Sequence, residues 1–297
     1  MIDDTTARGV ALPPSEDDTA PWTMVIKPTG RWFDLQMGEL WRYRDLVLLL
    51  VRRDFVAQYK QTILGPLWHL VQPVLTTIVF TVVFGRIANL PTDNLPPFLF
   101  YMAGNVVWAY FAGVLGGTST TFITNASIFG KVYFPRLAMP LALLFSRLVG
   151  FGIQFALFLA MAGYFWLTGA PLHPNAWILL TPLLLLLMGG LGLGCGIIIS
   201  ALTTRYRDLV VLVTFGVQLL MYATPVVYPL SSVPAQYRLL VAANPISPLI
   251  ETFRYAYLGE GTVSVGHLAY SAVVTLLLLI FGAALFNRVE RTFMDTV

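Results

Sequence analysis

Six long apolar runs dominate the chain, at residues 65–85, 95–117, 137–167, 177–202, 209–228 and 268–287. A helix rises about 1.5 Å per residue and a bilayer's hydrocarbon core is about 30 Å thick, so roughly 20 apolar residues are enough to cross it. Each run reaches that length. None alternates apolar and polar positions in the manner of a barrel strand, and an open strand edge in lipid would leave backbone groups unpaired. The pattern predicts an all-α membrane protein with six transmembrane helices over residues 61–297.

Two segments between the runs carry patterns of their own. Over 38–60, Arg42, Asp45, Arg52 and Arg53 fall on one helical face, and Leu40, Tyr43, Val47, Leu50, Val51 and Phe55 on the other. Leu49 interrupts the polar face and Asp54 the apolar one. The pattern predicts an amphipathic helix lying along the membrane surface. The connection 229–266 is long and is broken by Pro229, Pro234, Pro245 and Pro248, yet it keeps apolar stretches at 239–243 and 246–250. That combination predicts a re-entrant helical hairpin dipping back into the membrane, with an ordinary external loop as the alternative. Such backbone is tolerated only where protein or a cavity surrounds it.

Composition agrees with a lipid-facing chain: 57% of the 297 residues are hydrophobic and 11% charged, against about 25% charged in soluble domains. Where the charges lie sets the orientation. With the N-terminus inside, Arg8, Lys27, Arg31, Arg42, Arg44, Arg52, Arg53, Lys60, Lys131, Arg136, Arg205, Arg207, Arg288 and Arg291 fall inside, 14 in all. Arg86, Arg238 and Arg254 fall outside, and Arg147 lies within the third run. Without the three most distant N-terminal cations the ratio is still 11 to 3. The positive-inside bias therefore predicts both termini in the cytoplasm. Residues 1–37 hold six acids and several prolines without an apolar core, which reads as a flexible cytoplasmic tail and not as a signal peptide.

Candidate chemistry is sparse. The single Cys195 rules out an internal disulfide or a cysteine-based metal site, and no metal ligand set is expected. A phosphate loop needs Gly-x-x-x-x-Gly-Lys-Ser/Thr, and the nearest match, 125–132, lacks the first glycine and the final hydroxyl. The glycines at 189–196 lie inside a run. The pairs Gly190/Gly194 and Gly192/Gly196 are spaced to let helices approach closely. The 15 acidic residues lie outside the runs, and His69, His173 and His267 lie at their edges or in a loop, so no proton relay is visible. This disfavours a secondary transporter, and the lack of clustered carboxylates disfavours a membrane enzyme. Nothing in the pattern points to nucleic acid. Arg147 is the one charge deep in a run. It reads equally as a functional group or as a cation that snorkels or pairs with backbone carbonyls. Polar stripes mark three runs: His69, Gln72 and Thr76; Tyr101, Asn105 and Trp108; Thr214, Gln218 and Tyr222. Each suits either helix-to-helix hydrogen bonding or a wet pathway.

Three segments carry a resemblance: RDFVAQYKQTILGPLWHLVQP at 53–73, SIFGKVYFPRLAMP at 127–140 and NPISPLIETFRYAYLG at 244–259. In this order and spacing the chain resembles the ABC-2 type permease subunits that export O-antigen, capsule or teichoic acid. The resemblance covers residue 38 to the C-terminus. It departs from the family pattern at Gly150, where relatives often carry an acid, and at Leu137, where they carry a glutamate.

The resemblance implies a multi-pass protein of the bacterial inner membrane. It would work as two copies of this chain with two copies of a soluble ATPase, which would bind the ATP and Mg. The permease would then hydrolyse no ATP and bind no cofactor itself. Lipid-linked polysaccharide would enter from the inner leaflet and thread a channel between the copies. Coupling to the ATPase would run through 125–136, with Ile128, Phe129, Lys131, Tyr133 and Arg136 as contacts. Channel-lining candidates are Gln72, Thr76, Phe80, Tyr101, Asn105, Trp108, Gln218 and Tyr222. Pro245, Glu251 and Arg254 are candidates for an external gate. Arg52, Arg53 and Lys60 are placed to meet substrate phosphate at the inner headgroups or to anchor the chain to anionic lipid. A drug or small-lipid permease of the same type is the alternative.

Overall fold

The computed structural model describes residues 37–60, 62–125, 128, 134–203 and 206–293. The expected tail, all but Met37, lies outside the described residues. Every regular element described is helical. Helices α1 (Met37–Arg42) and α2 (Arg44–Tyr59) precede the first long helix. That helix starts as a 3-10 turn (Gly65–Leu67), continues as α3 (Trp68–Phe80) and ends in a π-helical stretch (Thr81–Ile87). After it come α4 (Pro97–Ser119), a short α5 (Thr121–Thr124), α6 (Ala138–Leu167), a 3-10 turn (Ala176–Leu180) leading into α7 (Thr181–Thr203), α8 (Leu209–Tyr222), α9 (Ala235–Ala242), α10 (Ser247–Leu258) and α11 (Val265–Phe293).

Among the described residues, five helical stretches are long and apolar enough to cross a membrane: Gly65–Ile87, Pro97–Ser119, Ala138–Leu167, Ala176–Thr203 and Val265–Phe286. Each overlaps an expected run closely. The fifth expected run, 209–228, departs from expectation. α8 stops at Tyr222 after 14 residues, about 21 Å of helix, which is short of the hydrocarbon thickness. Pro225 explains the stop, because it lacks an N–H and biases Thr224 before it away from helix. The expected helix 38–60 is also broken, at Tyr43, where a turn separates α1 from α2.

Helices α4 and α7 form the centre. α4 packs against α3, α6, α7, α8 and α10, and α7 also packs against α11. Glycine makes the close approach feasible. A Cβ at Gly192 would lie 3.0 Å from the Phe111 carbonyl oxygen, and one at Gly196 would lie 2.6 Å from Thr118 Cβ, both on α4. On the opposite side, a Cβ at Gly190 would meet Thr275 Cγ2 at 2.7 Å and one at Gly194 would meet the Leu278 carbonyl carbon at 3.0 Å, both on α11. The two expected glycine pairs thus serve two different neighbours of one helix. Helix α2 lies against α6, with Val47 and Leu50 buried and Arg52, Arg53, Leu48 and Leu49 exposed. Its apolar face is therefore covered by protein in this chain, while part of its apolar surface remains open.

Candidate functional site

The polar stripe of α3 faces Asn105 of α4 across a cavity of about 240 Å³. Its walls are His69, Gln72, Pro73 and Thr76 from α3, Asn105, Ala109 and Tyr110 from α4, and Arg147, Gly150, Phe151 and Gln154 from α6. Gln58 of α2 also lines it. The register on α6 follows from the sequence: positions 147, 150 and 154 stand at i, i+3 and i+7 on one helical face. On α3, Pro73 sits inside the helix, and the Thr76, Thr77 and Thr81 hydroxyls donate back to the carbonyls of Gln72, Pro73 and Thr77 at 3.0, 2.7 and 2.7 Å. Such back-bonding bends helices, and here it precedes the π-helical stretch.

A second cavity, about 430 Å³, continues from the first through Gln58 and Arg147. It is lined by Arg53, Asp54 and Ala57 of α2, by Gly117, Thr120, Thr121, Thr124 and Asn125, and by Met139, Leu143 and Ser146 of α6. Sharing Gln58 and Arg147, the two cavities run from the residues at the end of α5 into the helix bundle.

Arg147 lies where the two meet. Gly113 leaves room for it, since a Cβ there would lie 3.2 Å from Arg147 Cδ. Arg147 makes no hydrogen bond or ion pair among the described residues. The nearby Asp54 is bonded to Arg53, whose Nε and Nη2 donate to Asp54 Oδ1 at 2.9 and 2.7 Å. At Gly150, where the family resemblance leads one to look for an acid, a Cβ would lie 3.0 Å from His69 Cε1. The imidazole therefore occupies that space. Gln58, Gln72, Asn105 and Gln154 make no side-chain hydrogen bonds among the described residues, and Gln154 Oε1 is buried without a donor.

The external-gate candidates fall in a different region. Glu251 and Arg254 lie on α10, each 1% exposed, and pair at 3.3 Å. Arg254 Nη1 donates to the Pro225 carbonyl at 2.6 Å and Nη2 donates to the Val226 carbonyl. Its guanidinium stacks 3.8 Å from the Phe100 ring centre. Glu251 accepts from the Leu230 N–H at 3.4 Å and from the Thr262 N–H at 3.1 Å. The pair is buried, and it binds backbone freed where α8 ends. The Pro245 carbonyl accepts from Ser271 Oγ of α11 at 2.7 Å.

The remaining candidates are scattered. Tyr101 and Trp108 are buried against aromatic neighbours, and neither they nor Phe80 lines the cavity. Gln218 and Tyr222 are exposed on α8. Arg52 and Lys60 are exposed, and neither lines the path, which only Arg53 of that trio reaches. Ile128 is half-buried against the core and Arg136 is buried. Phe129, Lys131 and Tyr133 lie outside the described residues. The sequence did not single out Gln58, Tyr110 or Gln154. Only the i+7 spacing of Gln154 from Arg147 marked it.

A groove lined by amides and a guanidinium in an apolar helical bundle is suited to transport. The sequence profile of ABC-2 type transporters matches residues 45–258, which spans α2 to α10 and both cavities. This chain belongs to the ABC-2 type transporter family. Within it, the chain is 26% identical over 251 residues to an O-antigen export system permease protein RfbA of Klebsiella pneumoniae, covering 84% of this chain and 94% of the relative. It is 27% identical over 263 residues to an RfbA of Myxococcus xanthus, covering 87% and 98%. To the polysialic acid transport protein KpsM of Escherichia coli it is 24% identical over 256 residues, covering 83% and 94%.

Proposed function

We propose that this chain is the permease subunit of an ATP-driven exporter that moves lipid-linked polysaccharide of the O-antigen kind across the bacterial inner membrane. The observation that carries the reading is the polar path past Arg147, within a chain aligned over most of its length with relatives named for O-antigen export and polysialic acid transport. A small apolar cargo would not need buried amides and a guanidinium, because unpaired polar groups in an apolar setting are costly.

In this reading α8 and the buried segment that follows it complete a sixth crossing, and α9 and α10 form a re-entrant hairpin on the outer side. Helices α1 and α2 rest at the inner surface, and both termini are cytoplasmic. Two copies pair around the channel, with Gln72, Gln218 and Tyr222 among its lining residues. Two copies of a separate ATPase bind the ATP and Mg, and the connection 125–136 meets them.

The test is reconstitution of the chain with the ATPase encoded beside it, followed by ATP-dependent transfer of lipid-linked polysaccharide across proteoliposomes. Transfer that needs both subunits and hydrolysable ATP is the expected result. ATP-dependent movement of a small hydrophobic drug with no movement of polysaccharide would replace this reading.

A further inference from the structure

We infer that the cavity around Arg147 holds a phosphate ester together with its neighbouring hydroxyl groups: the sugar-phosphate head of the lipid-linked cargo, with phosphate at Arg147 and hydroxyls at Gln154 and Asn105. The inference rests on the exporter reading and gives that cargo a place in the chain.

Depth is the first argument. α6 has 30 residues, about 45 Å at 1.5 Å per residue, and therefore exceeds a ~30 Å hydrocarbon core. Tyr164 and Trp166, near its outer end, are exposed, as interfacial aromatics are. Counting about 30 Å back from them places Arg147 close to the inner headgroup boundary, where the phosphates of inner-leaflet lipids lie.

Chemistry is the second. A cation that only snorkelled would extend towards headgroups at the lipid face. Arg147 instead lies in a trough at Gly113, between α4 and α6, and lines both cavities. Asp54 lines the second cavity and attracts Arg147 electrostatically, but it forms no ion pair or hydrogen bond with it among the described residues, because its Oδ1 is held by Arg53. A guanidinium grips phosphate oxygens in a two-pronged fork. Gln154 Oε1 needs a donor, which a bare anion lacks and a sugar hydroxyl supplies. Asn105 opens onto the same cavity with no partner among the described residues. The amides and the guanidinium together match an anion with hydroxyls beside it. Those of a glycerophospholipid such as phosphatidylglycerol share this chemistry, so the test separates the two sources.

The experiment uses the full transporter, permease with its ATPase, in phosphatidylcholine nanodiscs, with retention read by native mass spectrometry. The probes are a lipid diphosphate carrying one hexose, the same lipid diphosphate without sugar, and phosphatidylglycerol. Wild type should retain the sugar-bearing probe best. Arg147→Gln should weaken both diphosphate probes by about tenfold or more, the scale of one lost charge-assisted hydrogen bond. Gln154→Leu should weaken the sugar-bearing probe alone. Arg147→Lys, which keeps the charge and loses the fork, should fall between wild type and Arg147→Gln, and it decides the matter if Arg147→Gln fails to assemble. Equal retention of the sugar-bearing probe by wild type, Arg147→Lys and Gln154→Leu overturns the inference and leaves the exporter reading intact. Phosphatidylglycerol retained as tightly as the sugar-bearing probe, and lost in Arg147→Gln, makes this a structural lipid site and also overturns it. A wild-type transporter that retains no sugar-bearing probe at all overturns both.

Discussion

Arg254 shows how a buried charge is maintained in this fold. A guanidinium keeps its proton at any physiological pH, so burial has to supply it with acceptors. It finds the Glu251 carboxylate and two carbonyls left unpaired where Pro225 ends α8. Removing one member of a buried pair strands the other, at a cost of roughly 3–5 kcal/mol. Glu251→Ala and Arg254→Ala should therefore each lower the thermal unfolding midpoint of the purified protein steeply, with little protein reaching the membrane. A purely gating role predicts normal stability with altered export, and an unchanged midpoint for both variants would favour it. Gly104 is tied to the same clamp. A Cβ there would sit 2.6 Å from Arg254 Nη2 and 2.8 Å from the Val226 carbonyl oxygen. Gly104→Ala should therefore destabilise by about 1–3 kcal/mol, the usual range for overpacking. Chemical denaturation in detergent measures it, and a neutral result would mean that the clamp is compliant.

Between elements, the α4–α7 contact depends on glycine. Gly196→Leu would drive a side chain into Thr118, whereas Gly152 on α6 has nothing within 4 Å of its would-be Cβ. Gly196→Leu should destabilise the protein strongly and Gly152→Leu hardly at all, as read by unfolding midpoints; equal effects would show that the glycines are not packing contacts. On α2, Arg53 is already held by Asp54 in a fork. If that fork only positions the helix, Arg53→Lys should leave export unchanged in the reconstituted assay; if phosphate displaces Asp54, export should fall while ATPase assembly stays normal. Long helices were legible in the sequence because twenty-residue apolar runs have few other outcomes in lipid. The early end of α8 was marked by Pro225, but the apolar residues on either side of it hid the stop. The burial of Glu251 and Arg254 was not legible. An i, i+3 pair reads the same on an exposed helix as on a buried one, and only the loose carbonyls of residues 225 and 226 decide between them. Of the cavity, the α3 stripe, Asn105 and Arg147 stood out as polar positions in apolar runs. Their meeting did not, because it depends on which helices are neighbours.

At the scale of the whole molecule, the proposed exporter links the path past Arg147 to ATP hydrolysis on a separate subunit. In that reading, force arrives by contact. The connection between α5 and α6 is well placed to receive it. α5 follows the buried helix α4 almost without a break, and α6 carries Arg147 ten residues after its expected start at 137. A push on this connection moves both walls of the second cavity, since Thr124 and Asn125 line one side and Met139 and Leu143 the other. Ile128 of that connection packs against the core. A contact of this kind needs an apolar knob fitted into the partner. Phe129 is the largest apolar side chain of the segment 125–132 and the best candidate for it. Phe129→Ala should leave the permease folded, with an unchanged unfolding midpoint, and should weaken either its co-purification with the ATPase or the stimulation of ATP turnover in the complex. A binding energy centred on one aromatic typically falls by 2 kcal/mol or more on truncation to alanine, about thirtyfold in affinity. Full co-purification and full export in that variant would move the coupling contact elsewhere. The purified permease alone should show no ATP turnover under the same conditions. Turnover that survives removal of contaminating ATPases would place the energy source within this chain and remove the need for the contact.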